Sequence, residues 1–298
     1  MLTIFSTPKP FRGHINIIQR NAIESWKRIH PDVEIILFGD EDGAADVACE
    51  FGLRHVPYVP QNEFGTKLLR GFFEPAQEMA RHDLVCYINC DIMMTPKLAG
   101  SVARARSFFP RFLMVGKRWN TDIVEPWDFS GEDWDLSLER FVRERGSLLD
   151  ATGIDYFVFP RGLYREMPAL VIGRIWWDHW LIWRARSLGM PVIDATRVIL
   201  AVHQNHDYSY HAAGAFGVWH DEQSRKNFEL AGGKWHLYTI EDSTHRLTSS
   251  SMKRNPLAAL APFRRAARPY VKPVWHGLLG VTRPVRHTLG IRRRGRER

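Results

Sequence analysis

The first half of the chain alternates short apolar runs with amphipathic stretches, a pattern that predicts strands separated by helices. "LTIFSTPKPF" reads as a strand broken at Pro8 and Pro10, followed by a helix from about Ile15 to Ile29 and a second strand, "VEIILFGDEDG", ending in acids and glycine. "GAADVACEFG" predicts a short helix with a glycine stop, "RHVPYVP" an edge strand, and "TKLLRGFFEPAQEMARH" a helix interrupted near Pro75. The run "LVCYINCDIMM", Leu84 to Met94, then reads as a buried strand that closes on Asn89 and Asp91. A helix near Pro96 to Ser107 and a strand "FLMVGKRW" complete this half.

Beyond that point the pattern changes. "WNTDIVEPWDFSGEDWDLSLERF" is rich in tryptophan and acid, "GIDYFVFPRGLY" reads as a strand, and "IGRIWWDHWLIWRARSLG" keeps helical spacing up to the stop at Gly189. "PVIDATRVILAVHQNHDY" predicts one or two buried strands ending in a histidine cluster. The alternation in the first half predicts an α/β fold: a doubly wound, mostly parallel sheet flanked by helices. In such sheets ligands gather at the carboxyl ends of the strands, which points Thr7, Lys9, Asp40, Asn89 and Asp91 into one cleft.

Charge separates the end of the chain from the rest. From Met252 to Arg298 there are 13 Lys and Arg against the single acid Glu297, a charge of +12; the remainder holds 28 basic and 32 acidic residues, or −4. The high pI therefore belongs to residues 251–298, and nucleic acid is not an expected partner of the mildly acidic body. The tail mixes Leu, Phe, Tyr and Trp with arginine and is cut by prolines, chemistry that suits an anionic membrane surface or a solvated basic end. Cys49, Cys86 and Cys90 are odd in number and lack metal-ligand spacing, so the expected compartment is reducing, the cytoplasm, with peripheral attachment to the inner face of the membrane. "MLTIF" begins directly as a strand rather than a leader, and no run approaches the roughly 20 apolar residues of a spanning helix.

A Pro-broken first strand, an acid-ended second, an apolar strand closing on x-x-D and a later "WWDHWLIWRARSLG" together resemble a GT-A-fold nucleotide-diphospho-sugar glycosyltransferase of the bacterial surface-polysaccharide type. The resemblance covers about residues 1–250. It implies a nucleotide-sugar-binding half over about 1–115 and an acceptor and catalytic half over 116–250, with a glycan or lipid-linked acceptor. The family's D-x-D holds a divalent metal, Mn²⁺ or Mg²⁺, which holds the donor diphosphate. Here it stands as Asn89-Cys90-Asp91: Asp91 matches the metal-binding acid, and Asn89 replaces the acid that serves the donor ribose. Turn chemistry alone also places Asn and Asp at strand ends.

Alignment on Leu181, Arg184 and Gly189 puts Asp178 at the position of the family's general base, with Trp177 in place of the preceding Glu and beside the acceptor. An aspartate in a helix's first turn is equally ordinary dipole chemistry. A downstream histidine completes the metal contacts in many members, which implicates His203 or His206. Thr7 and Asp40 fall where the family holds base and ribose. Thr66 and Lys67, entering the next helix, would meet diphosphate at its N-terminus, although lysine on a helix is usually solvated. Asp155 resembles an acceptor-side acid preceding a core strand, with a structural role as its alternative. The rival readings are a sugar-phosphate nucleotidyltransferase, whose Gly-rich phosphate loop "STPKPFRGH" lacks, and a non-catalytic carbohydrate- or membrane-binding protein. Asn89 and Trp177 are the best support for the latter.

Overall fold

The computed structural model describes residues 1–206, 219–260 and 263. One compact unit spans Met1–Ala258, and a second, Ala259–Arg298, holds most of the basic tail. Of the tail, residues 251–260 and 263 are described; the rest lies outside the described residues, as do Asp207 and Tyr208 of the histidine cluster.

The fully buried runs form the sheet. β1 (Leu2–Ser6), β2 (Val33–Phe38) and β4 (Leu84–Ile88) lie side by side and parallel, and β3 (Arg54–Val56) closes the edge next to β2. β1 and β4 are buried at every position, as strands covered on both faces must be. β6 (Leu113–Thr121) and β9 (Val192–Asp194) pair in parallel, as do β9 and β11 (His245–Leu247), while β12 (Met252–Arg254) turns back antiparallel at the far edge. Between β4 and β6 runs β8 (Ile154–Pro160), antiparallel to both. The sheet is therefore mostly parallel, with one reversed strand at its centre. That reversal brings the beginning of β8, where Asp155 stands, to the carboxyl end of β4.

A second ladder branches from β6. β10 (Ala201–Gln204) pairs in parallel with β6 and antiparallel with β5 (Ile92–Met94), and β7 (Ser147–Leu148) adds to the end of β6.

One face carries α1 (Gly13–Lys27), α2 (Ala44–Phe51) and α4 (Lys97–Phe108) over a core that includes Ile4, Trp26 and Ile88. The other carries α3 (Arg70–Met79) and α6 (Trp177–Ser187) over Phe5, Phe72, Tyr87 and Phe157. α5 (Trp134–Arg145) packs with Met93 and Val202 in a third cluster. α7 (Glu222–Leu230) contributes Asn227, which bonds to Val171 in both directions.

The helix expected to be interrupted near Pro75 instead runs through it. Pro75 is the sixth residue of the helix, so α3 forgoes the bond that an N–H there would have made to the Gly71 carbonyl. Gly71 is needed on its own account, because a Cβ there would fall against the ring of Pro60.

Candidate active site

The register of β10 decides the centre of the site. His203 pairs with Ile92, the residue after Asp91, so the antiparallel turn of the chain sets an imidazole beside the carboxylate. His206 follows one short step later. Ligand atoms of Asp91, His203 and His206 lie within 4.8 Å of one another. His206 Nε2 is 3.1 Å from Asp91 Oδ2, and His203 Nε2 is 3.9 Å from it. Asp91 Oδ1 and His203 Nδ1 are buried and have no hydrogen-bond partner among the described residues. Orphaned buried polar atoms are rare and call for a missing partner. One carboxylate and two imidazoles converging on one point are a donor set that a divalent cation fits.

Sequence reasoning missed the residue that holds this centre. Gln204 is fully buried, and its Nε2 donates both to the Asp91 carbonyl at 3.1 Å and to the Ile18 carbonyl in α1 at 2.7 Å. Its Oε1 accepts from Asn21 of the same helix at 2.9 Å. The strand end is thus tied to α1, which also binds the carbonyl of Ile92 through the Trp26 indole. The only signal in the sequence was an amide inside an apolar strand.

Electrostatics distinguish the members of the cluster. Burial pushes the Asp91 carboxyl up, but His203, His206 and the Lys9 ammonium outweigh it and hold the group well below the usual carboxylate range. Lys9 Nζ lies 3.1 Å from His206 Nε2, so the site already draws positive charge. Burial, with help from Arg118, lowers His203 and leaves its imidazole neutral at pH 7. Burial raises the Cys90 thiol, with the neighbouring Asp91 charge adding to it.

Asn89 is bonded on both sides of its amide. Its Oδ1 accepts from the Tyr87 hydroxyl at 2.7 Å and its Nδ2 donates to Asp155 Oδ1 at 2.5 Å. Asp155 Oδ2 in turn accepts from Arg118 at 2.7 Å, a pair in which both side chains are largely buried. The amide expected to reach a donor ribose is engaged with the protein, and Asp155 lies within β8 rather than before it. Arg118 was not singled out in the sequence, although a cation inside a strand was the available clue.

Asp178 occupies the first turn of α6. Burial raises its carboxyl above the ordinary value, and the nearby Asp155 charge adds to the rise against the opposing pull of His179. Trp176 caps the helix from just before it, with a φ of 90°, a left-handed conformation that a bulky residue adopts only under constraint. Trp177 corrects the expectation of an acceptor contact. Its indole is 6% exposed and packs edge-on against Tyr87 at 5.5 Å and against Phe157 at 5.7 Å. It anchors α6 in the core, and the acid that the motif would carry there would be buried among aromatic rings. Trp180 is core as well, while Trp183 stacks on His236.

The opposite rim is built from β1 and β2. Lys67 corrects a second expectation: it lies ahead of α3 in a bridge to Gln61, buried, and not on the helix. Its ammonium donates to Thr7 Oγ1 at 2.8 Å and forms an ion pair with Glu41. A Cβ on Gly39, at φ 116°, would fall on both of these side chains, so the close approach requires glycine. Asp40 is exposed at the end of β2, and it is Glu41 that turns inward.

The acidic, Trp-rich segment after β6 borders a cavity of about 430 Å³ with Trp127 and Phe141 in its wall. It meets the histidine loop through a bond of 2.7 Å from Asn205 to Asp122.

No family model matches the sequence, and no curated protein matches it either. Among solved structures the chain is similar to glucosyl-3-phosphoglycerate synthase from Mycobacterium tuberculosis in complex with Mg²⁺ and UDP, at 14% identity over 78% of this chain and 80% of that one, with a TM-score of 0.47. It is also similar to S. aureus TarS in complex with UDP-GlcNAc, at 11% identity over 77% of this chain and 65% of the other, with a TM-score of 0.48. The M. tuberculosis synthase with Mn²⁺, UDP-glucose and phosphoglyceric acid gives 14% identity, 78% and 80% coverage and a TM-score of 0.45.

Proposed function

We propose that this chain is a GT-A-type glycosyltransferase that moves a sugar from a nucleotide-diphospho-sugar to a hydroxyl of a glycan or lipid-linked acceptor, with inversion at the anomeric carbon. The observation that carries the reading is the gathering of Asp91 with two histidines; a second, unlike carboxylate, Asp178, feels the charge of Asp155. Asp178 is raised toward the range of a general base. Asn89, two residues before Asp91, donates to Asp155, whose charge acts on Asp178.

In this reading Asp91, His203 and His206 hold a divalent metal, which neutralises charge on the donor diphosphate when bound. Thr7 and Lys67 face the nucleotide. Asp178 takes the proton of the acceptor hydroxyl as its oxygen attacks the anomeric carbon. The bond from that carbon to the diphosphate oxygen breaks, and its electron pair leaves with the nucleoside diphosphate. A base raised by burial is suited to that transfer near neutral pH.

Asn89 and Trp177, the two departures that favour a non-catalytic scaffold, each have another physical reason in the fold: one holds Asp155 and the other fills the core. Among the described residues no helix is long and apolar enough to cross a membrane. The charge of +12 over Met252–Arg298 supports attachment to an anionic bilayer at its cytoplasmic face, near a lipid-linked acceptor.

Thermal unfolding with UDP and GDP, with and without Mn²⁺, tests the donor reading. A nucleotide at a hundredfold excess over its dissociation constant stabilises by about 2.7 kcal/mol. A metal-dependent rise in the wild type that shrinks in Asp91→Asn is the expected outcome; no response to any nucleoside diphosphate would sink the reading. Truncation after Asn255 is expected to abolish sedimentation with anionic vesicles while nucleotide binding persists. Equal binding to neutral vesicles would refute the electrostatic attachment.

A further inference from the structure

We propose that the cavity between residues 122–133 and α5 is a carbohydrate-binding site, which holds a pyranose ring of a glycan against the Trp127 indole. None of the residues lining it belongs to the groups assigned above to metal, nucleotide or base. The inference concerns binding and does not rest on sugar transfer.

Its first support is a wall built in advance. Residues 122–133 join β6 to α5 without a regular element of their own. A connection of that length is usually functional or a linker. This one is no linker, because α1 ties it down: His14 Nε2 bonds to the Ile123 carbonyl at 2.9 Å, and Asn21 donates to the Glu125 carbonyl at 3.2 Å and accepts from the Trp127 N–H at 2.8 Å. The cavity of about 430 Å³ that results falls in the range of roughly 300–1,000 Å³ typical of small-molecule sites.

The second support is the chemistry of that wall. Trp127, Trp134 and Phe141 supply flat apolar faces, with the Trp127 and Phe141 rings edge to face at 5.4 Å. Trp127 Nε1 is buried and has no hydrogen-bond partner among the described residues, although a buried indole N–H ordinarily finds one. That donor calls for an acceptor oxygen on a ligand. Four carboxylates, which only accept, share the lining with one cation, Arg145. Asp122 is already bonded to Asn205 and Asp128 to the Ser130 N–H, which leaves Glu125 and Asp133 as acceptors for a ligand.

These demands select among ligand classes. A phosphate would be repelled by the carboxylates. An amine would satisfy them but leave the indole N–H unpaired. A divalent cation needs converging ligands, and among the described residues such a trio of acids and histidines forms only at Asp91, His203 and His206. A sugar hydroxyl both donates and accepts, so a pyranose serves the carboxylates and the indole together while its C–H face covers the rings.

The test uses the full-length chain with UDP and Mn²⁺ present. The indole N–H resonance of Trp127, identified by its loss in Trp127→Phe, is followed by ¹H–¹⁵N NMR during titration with methyl glycosides of glucose, galactose, mannose, rhamnose and N-acetylglucosamine. At least one glycoside is expected to shift that resonance saturably, with a dissociation constant that changes less than about twofold when UDP and Mn²⁺ are left out. Followed by saturation transfer to the sugar, Trp127→Phe, which keeps a ring but removes the donor, is expected to weaken binding about three- to tenfold, the scale of one hydrogen bond. Glu125→Ala, at an exposed position, is expected to weaken it about two- to fivefold; both variants are checked for a wild-type unfolding transition. A resonance indifferent to every glycoside overturns the inference, as does glycoside binding at wild-type strength in both variants. Choline or spermidine shifting the resonance where no glycoside does would make the cavity a cation site and overturn it as well. Glycoside binding that UDP abolishes would place the sugar on the donor side and not in this cavity.

Discussion

The turn after β4 and the first turn of α6 each carry an aspartate, and their surroundings drive the two in opposite directions. Around Asp91 stand His203, His206 and Lys9, and the carboxyl is held low despite its burial. Around Asp178, burial and the charge of Asp155 push the carboxyl up. The first is prepared to stay ionised and hold a cation; the second is prepared to accept a proton. The lesson is that residue type does not assign roles in such a site. Environments that push two like groups apart do.

The sharpest way to break the comparison is to remove the base and leave the metal side whole. Asp178→Asn is expected to lower transfer about 10² to 10⁴-fold while UDP affinity stays within about twofold, because a base acts in the transition state. Steady-state kinetics beside calorimetric titration of UDP separates the two. Parallel losses in both would make Asp178 structural.

The metal side has its own probe in the residue behind it. Gln204→Leu removes the tie between the Asp91 carbonyl and α1 without touching a donor atom. A support of this kind typically contributes a factor of 10 to 100 in metal affinity, which Mn²⁺ titration would show. Unchanged affinity would mean that the trio holds its geometry without α1.

A smaller effect is expected from the positive charge already at the centre. Lys9→Gln takes an ammonium away from His206 Nε2 and is expected to tighten Mn²⁺ binding roughly two- to fivefold, the scale of a partly solvated charge interaction. Weaker binding would place Lys9 among the groups that help the ion.

The smallest effect concerns stability. Because the folded state raises the Asp178 carboxyl, the folded chain holds that proton more tightly than the unfolded one. Its contribution is fully present below the unfolded value of about 3.9 and is lost as pH rises through the folded value. Asp178→Asn is therefore expected to melt at a higher temperature than wild type at pH 7, with the difference vanishing toward pH 3. A variant less stable than wild type at pH 7 would show that the carboxylate makes a favourable contact in the fold.

The sequence by itself determined the strand and helix alternation of the first half, because buried strands and amphipathic helices write their periods locally. It also placed Asp91 at a strand end and Asp178 in a helix's first turn, since both follow from where an apolar run stops. What it could not carry was everything that depends on register between distant strands. The antiparallel course of β8, which brings Asp155 to Asn89, is a pairing between segments some 70 residues apart. The meeting of His203 with Asp91 spans more than 100, and is fixed by one register, His203 opposite Ile92. The tertiary structure likewise decided that Lys67 faces Thr7 and Glu41, that Trp177 faces the core, and that Gln204 ties the centre to α1. A side chain's chemistry is local, but its partners, its burial and therefore its charge state are set by what the rest of the chain packs against it.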